Sequence, residues 1–277
     1  MQLLQFLLLA TVVAATPAAD KKPKKCPHHI PSCGTTFTAY PTASASGSVT
    51  CPSTVPAPSA NARLRIEGND SEGTIFEDCI VAGPREITTP SGGTHLCDGT
   101  NDGANTSPGT VPTAQLDAAA HRSHRSGFAY DGTYQAQFED YFITSIGDSP
   151  QTDTKFWGIL VNGQFTPVGG CQFEVVNGDE TLFAFDAFSK SAFLQVAPEY
   201  AVAEAGSGSV TVTVTDALTG IPQAGVSFAG QVTDVDGHAT VAVPGAAGCY
   251  EFKATAPNAL RSNAFYLTVV KTFACRH

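Results

Sequence analysis

The chain has 277 residues, a net charge of −10 and only 14% charged residues, against roughly 25% in an average globular protein. That balance excludes nucleic-acid binding by bulk electrostatics. The 42% apolar content suffices for packed cores in one large or two ordinary domains, and the wealth of Gly, Thr, Val, Ala and Phe points to strands and turns rather than helical bundles.

The N-terminus reads "MQLLQFLLLATVVAATPAAD". Its apolar stretch, Leu3 to Ala15, is too short to span a bilayer and has the length of a signal-peptide core, although no Lys or Arg precedes it. Val13-Ala14-Ala15 places small residues for cleavage after Ala15, giving a signal peptide of residues 1–15; Ala19 is a second choice. No later segment is apolar enough to span a membrane, and "KTFACRH" is no lipid-anchor signal. An exported, extracellular protein is therefore expected. "KKPKK" at Lys21–Lys25 reads as a solvated tail.

Eight cysteines, Cys26, Cys33, Cys51, Cys79, Cys97, Cys171, Cys249 and Cys275, agree with export, where disulfides are the default. None forms a CxxC pair, which leaves zinc-ribbon and thioredoxin readings without support. Asn69 and Asn105 open N-glycosylation sequons, the second followed by Pro108.

Residues 20–60 are rich in Pro, Ser and Thr and carry three cysteines. They are expected to form an extended linker suited to O-glycosylation. In "ARLRIEG", Leu64 and Ile66 alternate with Arg63, Arg65 and Glu67, the pattern of a half-buried strand. "GTIFEDCIVAG" predicts a second strand, and "TTPSGGTHLCDGTNDGANTSPG" is too polar and Gly-rich for one. "PTAQLDAAAHRSH" is the one clear helix, with Thr113 as N-cap and Asp117 near the positive end of its dipole. "FAYDGTY" predicts a hairpin with an Asp-Gly turn, and "FEDYFITSIG" a strand. "FWGILVNGQF" is a hairpin around Asn162-Gly163, since a type I′ turn needs φ > 0 at both central residues. A second Asn-Gly leads into the strand "TLFAFDAF". Residues 61–190 thus read as α+β, one helix across a mostly antiparallel sheet.

From Phe193 the pattern changes to short alternating runs with turn signals every 8–12 residues, for example Val210, Val212 and Val214 between threonines, and turns at Asp216–Gly220 and Asp234–Gly237. Residues 193–277 are expected to form an all-β sandwich, which makes the protein mainly β overall.

"KFWGILVNGQFTPVGGCQFEVVNGDETLFAFDAF", with "RIEG…TIFEDCI", "SGGTHLCDGTNDGANTSPG" and "FEDYFITSIGDSPQTDTKFWG" upstream, resembles the transcobalamin-like C-terminal domain of secreted proteins, in its fungal branch, over residues 61–190. The resemblance implies a β-grasp-like fold and a Cys97–Cys171 bridge, which would close a loop worth about 4–5 kcal/mol in the chain-entropy picture. "TDVDGHATVAVPGAAGCYEFKA" is similar to immunoglobulin-like modules of surface proteins. Cys249 and Cys275 could pair in that sandwich, leaving three pairings among Cys26, Cys33, Cys51 and Cys79. In animal cobalamin carriers the related domain caps a ligand held by a helical barrel. This chain has no helical pattern for a barrel, so cobalamin binding is not carried over.

Trp157 shares one strand face with Ile159 and Val161, which favours a core position. The alternative is a shallow ligand surface built from Trp157 and Phe156 with Tyr134, Tyr141 and Phe165. No metal or cofactor site is expected. Asp98, Thr100 and Asp102 have EF-hand-like spacing, but Gly109 stands where the bidentate Glu is required. His121 and His124 lie beside Arg122 and Arg125, which suits a helix C-terminus better than a cation. "PHHIPSC" is a weak metal motif in an extended tail. No GxSxG, HExxH or DxE arrangement occurs, and Glu139 and Asp140 point to opposite faces of a strand. The expected class is a secreted non-enzymatic module that binds a small molecule or glycan, with a structural cell-wall or adhesion protein as the alternative.

Overall fold

The computed structural model describes residues 46–122 and 127–271. The signal peptide, the basic run, Cys26, Cys33, His124 and Cys275 lie outside the described residues. The protein is mainly β, with one α-helix among the described residues.

The first half is built on strands β1 (Ala60–Glu67), β2 (Thr74–Ala82), β3 (Arg85–Thr89) and β4 (Gly93–Cys97), helix α1 (Pro112–Ala120), and strands β5 (Tyr130–Gln135), β6 (Asp140–Ile146), β7 (Trp157–Val161) and β8 (Glu180–Phe185). A five-stranded sheet runs in the order Gln164–Phe165, β7, β8, β1, β2. Strand β8 is parallel to β1 and every other pairing in this sheet is antiparallel. Asn162 and Gly163 turn the β7 hairpin with φ of 51° and 73°, as a two-residue I′ loop demands.

One face of this sheet meets α1 and the two small antiparallel sheets, β3–β4 and β5–β6 with Ser149–Pro150. Leu64, Ile66, Phe76, Ile80, Phe183 and Phe185 pack there against Leu116, Ala119, Ile87, Tyr141, Ile143 and Ile146. A buried bond from Thr181 Oγ1 to Gln115 Oε1 (2.6 Å) ties the helix to β8.

The second half comprises β9 (Ala192–Ala197), β10 (Tyr200–Glu204), β11 (Ser209–Asp216), β12 (His238–Ala242), β13 (Gly248–Phe252) and β14 (Phe265–Val270). One sheet holds β12, β11, β9 and Ala259–Leu260, the other Ser46–Gly47, β10, β14 and β13. Their inner faces share a core that includes Val196, Val212, Val214 and Val241 from the first, and Ala201, Phe265, Leu267 and Val269 from the second. This is sheet-on-sheet packing.

The opposite face of the five-stranded sheet lies against this sandwich, so its central strands β1 and β8 are buried on both sides. Strand β1 is buried at all eight positions, which corrects the half-buried reading of Arg63, Arg65 and Glu67. Other local expectations also change. The Gly-rich stretch does carry a strand, β4, which pairs in register with β3. Helix α1 starts at Pro112 with Val111 as N-cap and no side-chain cap bond, so Thr113 is inside it; proline suits the first helical turn, where its missing N–H is unused anyway. Asp117 is not in the first turn and instead binds Arg85 (2.7 Å) and the Tyr130 hydroxyl (2.7 Å). Asp131-Gly132 makes no hairpin: β5 runs through it with a bulge, and its turn comes at Glu139, φ 47°.

Residues 46–59 are not a free linker. Ser46–Gly47 pairs with β10, Cys51 is bonded to Cys79, and Asn177 accepts the Val55 N–H (3.0 Å). Cys97 is bonded to Cys171. Cys249 is disulfide-bonded, and its expected partner Cys275 lies outside the described residues.

Candidate functional site

The sandwich-facing side of the five-stranded sheet divides into two zones. Near β1 and β2 it is charged. Arg63 pairs with Glu77 and with Glu199 (2.9 Å). Glu67, fully buried, receives Lys253 (2.6 Å) and Arg261 (3.0 Å) from the sandwich. Lys253 also reaches Glu77 (2.6 Å), and Arg65 reaches Glu180 (3.4 Å). Burial alone would raise the Glu77 carboxyl, but Lys253, Arg63 and Arg65 hold it well below the usual carboxylate range. Near β7 and β8 the same face is apolar: Leu160, Leu182 and Ala184 pack on Phe193 and Leu260 of the sandwich.

At the far end of the apolar zone the face opens to solvent. Phe188, in the short 3₁₀ turn Ala187–Ser189, is 70% exposed and stacked on Phe165, with centroids 5.3 Å apart and an interplanar angle of 16°. Phe165 also meets Phe193 edge-on at 5.6 Å. Gly158 lies beneath this pair: a Cβ there would stand 2.6 Å from Ala187 Cβ and 3.1 Å from the Phe165 ring. Phe188 lies within a stretch whose ends, Phe185, Asp186 and Lys190, line a shallow cleft open to solvent. The other walls include Lys155, Asn69, Asp70 and Arg261. Asp186 adopts φ 58° and faces Lys155 at 3.8 Å and Lys190 at 3.9 Å.

The aromatic candidates from the sequence do not form one surface: Tyr134 and Tyr141 meet edge-on at 5.2 Å beside His95, and the other three lie elsewhere. Trp157 is 6% exposed, donates Nε1–H to the Ser149 carbonyl (3.1 Å) and meets Phe185 edge-on. It has no open face for a ligand. Tyr141 is buried and donates its hydroxyl to the carbonyls of Ile87 (2.7 Å) and Gly93 (2.9 Å). Tyr134 is half-buried and stacks on His95 at 3.5 Å. Phe156 is half-buried beside Phe142 at 6.3 Å. Only Phe165 joins the exposed pair. Its partner Phe188 is the last residue of "TLFAFDAF", which its composition predicts as one continuous strand; the left-handed Asp186 ends β8 and turns Phe188 outward.

Asp98 Oδ1 accepts the Thr100 N–H and hydroxyl, an Asx-turn. His121 Nδ1 lies 2.9 Å from the Asp117 carbonyl. Asp140 is buried while its neighbour Glu139 is exposed. Burial pushes the Asp140 carboxyl up to about 6, against the N–H groups of Cys171 and Tyr141 that bind it.

A family model described as a domain of unknown function (DUF4430) matches residues 128–187, the span from β5 through β8. No curated protein matches the chain. Among solved structures, haptocorrin in complex with Cbi is similar, with a TM-score of 0.30 and 15% identity over 46% of this chain and 25% of that one. This chain therefore corresponds to about a quarter of haptocorrin's length. No helix among the described residues is long and apolar enough to cross a membrane.

Proposed function

We propose that the chain is an exported, non-enzymatic binding module whose contact surface is the Phe165–Phe188 pair together with the adjoining cleft. The observation that carries this reading is the exposure of Phe188. A phenyl ring left 70% in water, yet braced by a stacked partner and a glycine beneath, is presented rather than buried. Flat rings take the apolar faces of sugars or small cyclic molecules, and Asp186 and Lys190, two residues either side of Phe188, with Lys155, which faces Asp186, supply hydrogen-bonding groups. The groups whose titration is most displaced, Glu77, Arg63, Tyr130, Tyr266 and Asp140, do not line this cleft, which supports a non-enzymatic reading.

A screen of the secreted protein against polysaccharides and small cyclic molecules tests the proposal, with Phe188→Ala as the control. Retention of a polysaccharide by the wild type and its loss in the variant is expected. Equal retention by both would overturn the assignment of the surface. The second reading, a structural wall or adhesion protein, is favoured by one observation: the sheet face under α1 is filled by packed side chains. Binding to whole cell walls that survives Phe188→Ala would favour it.

A further inference from the structure

The two N-glycosylation sequons, Asn69-Asp70-Ser71 and Asn105-Thr106-Ser107, occupy different hydrogen-bonding environments. N-glycosylation joins Asn Nδ2 to C1 of an oligosaccharide carried on a lipid diphosphate. The N–C bond forms, the C–O bond to the diphosphate breaks, and one Nδ2 hydrogen leaves as a proton. The product amide keeps a single N–H. A folded site can carry a sugar only where the side chain needs no more than one donor.

Asn105 needs two. Its Nδ2 donates to the Gly99 carbonyl and to the Gln172 carbonyl, both at 2.7 Å. Its backbone N–H also binds the Gly99 carbonyl (3.1 Å). These bonds hold the loop after Cys97 against the turn after Cys171, so the amide works beside the disulfide that joins the same two segments. Asn105 and Asn69 are both half-buried, so it is the hydrogen bonds that separate the two sites. A sugar on Asn105 Nδ2 would remove one donor and wedge a bulky group between the two segments.

Asn69 needs one. Its Oδ1 accepts the Ser71 N–H (2.9 Å), the Ser71 hydroxyl (2.6 Å) and the Glu72 N–H (3.0 Å), which shapes the turn between β1 and β2 through the oxygen alone. Its Nδ2 donates once, to the Asp148 carbonyl at 3.1 Å, in an exposed bond. Asp70 and Ser71 are exposed. We infer that Asn69 carries the N-linked glycan of the exported chain and that Asn105 stays bare because both of its amide hydrogens are structural. The sugar then stands at the rim of the cleft that Asn69 lines.

This inference rests on the export reading. The test expresses the full chain with its own leader in a eukaryotic secretory host, beside Ser71→Ala and Ser107→Ala, each of which removes a sequon but keeps the asparagine. N-glycans are then released enzymatically in heavy-oxygen water, which tags each formerly occupied asparagine for peptide mass spectrometry. The tag is expected at Asn69 alone. Ser71→Ala should abolish the mass shift on glycan release, and Ser107→Ala should change neither the glycan nor the melting temperature. Asn105→Ala should lower the melting temperature without altering glycan mass. A tag at Asn105, or a secreted chain with Asn69 untagged, overturns the inference. Retention of the chain in the cell counts against export instead; a heterologous leader then routes the same chain through the secretory pathway and the two sites are read again.

Discussion

Strand β1 serves two regions that obey opposite physics. Leu64 and Ile66 face an apolar core under α1, while Arg63, Arg65 and Glu67, one residue out of phase, face a buried network of ion pairs with the sandwich. Both faces are dry. The apolar face is stabilised by area removed from water and tolerates volume-conserving change. The charged face holds only while every partner is present, because each ion has given up its hydration. Alternation along a strand therefore reports two different neighbours here, not a core and a solvent.

The largest effect that tests this contrast is expected from Glu67→Ala. It leaves Arg261 without its buried carboxylate and Lys253 with Glu77 alone, at a cost of about 3–5 kcal/mol. Urea denaturation should show that loss, with sandwich and helix-bearing half destabilised together. A loss under about 1 kcal/mol would mean that the network is hydrated and the contrast is wrong.

pH should separate the two regions by sign. Glu77 is held below its usual 4.5 by cations, so its contribution is present above that value and lost as pH falls. Asp140, on the helix side, has a folded value of about 6 against a usual 3.8. It binds its proton more tightly when folded, so its contribution is complete below about pH 4 and lost as pH rises through 6, by up to about 3 kcal/mol. Melting temperature followed across pH for wild type and Asp140→Asn checks this. The variant should lack the fall between pH 4 and 7; an identical slope would refute the assignment.

Trp157→Phe should cost about 2 kcal/mol through lost volume and the lost Ser149 bond. The wild-type tryptophan should emit in the blue and resist iodide quenching, since it is 6% exposed. Ready quenching would place it outside the core. The smallest effect belongs to Phe188→Ala: within about 0.5 kcal/mol on stability, because the ring is largely in water, yet with loss of ligand retention. A large stability loss instead would show that the exposed pair is structural.

Much of the fold was legible locally. The Asn162-Gly163 turn, the single helix and the change at Phe193 to short alternating strands each follow from backbone preference or period, and each appears in the structure. Other elements misled for identifiable reasons. Asp131-Gly132 is a turn dipeptide by propensity, but cross-strand pairing with β6 absorbs it as a bulge. Gly93–Cys97 has poor strand composition and is drawn into pairing by β3. The candidate site was legible only in Phe165, since nothing local marks Asp186 as the left-handed residue that turns Phe188 into solvent.

The sequence by itself determined that this is a mainly β chain with one helix, a hairpin turn at Asn162-Gly163 and cysteines suited to disulfides, because those properties depend on φ preferences, periodicity and residue chemistry within a few positions. Only the tertiary structure decided that Arg63, Arg65 and Glu67 are buried, that Trp157 fills a core and that Phe188 does not. Those outcomes depend on which surface another part of the chain covers: Lys253 and Arg261, which cover Glu67, lie 186 and 194 positions away in sequence.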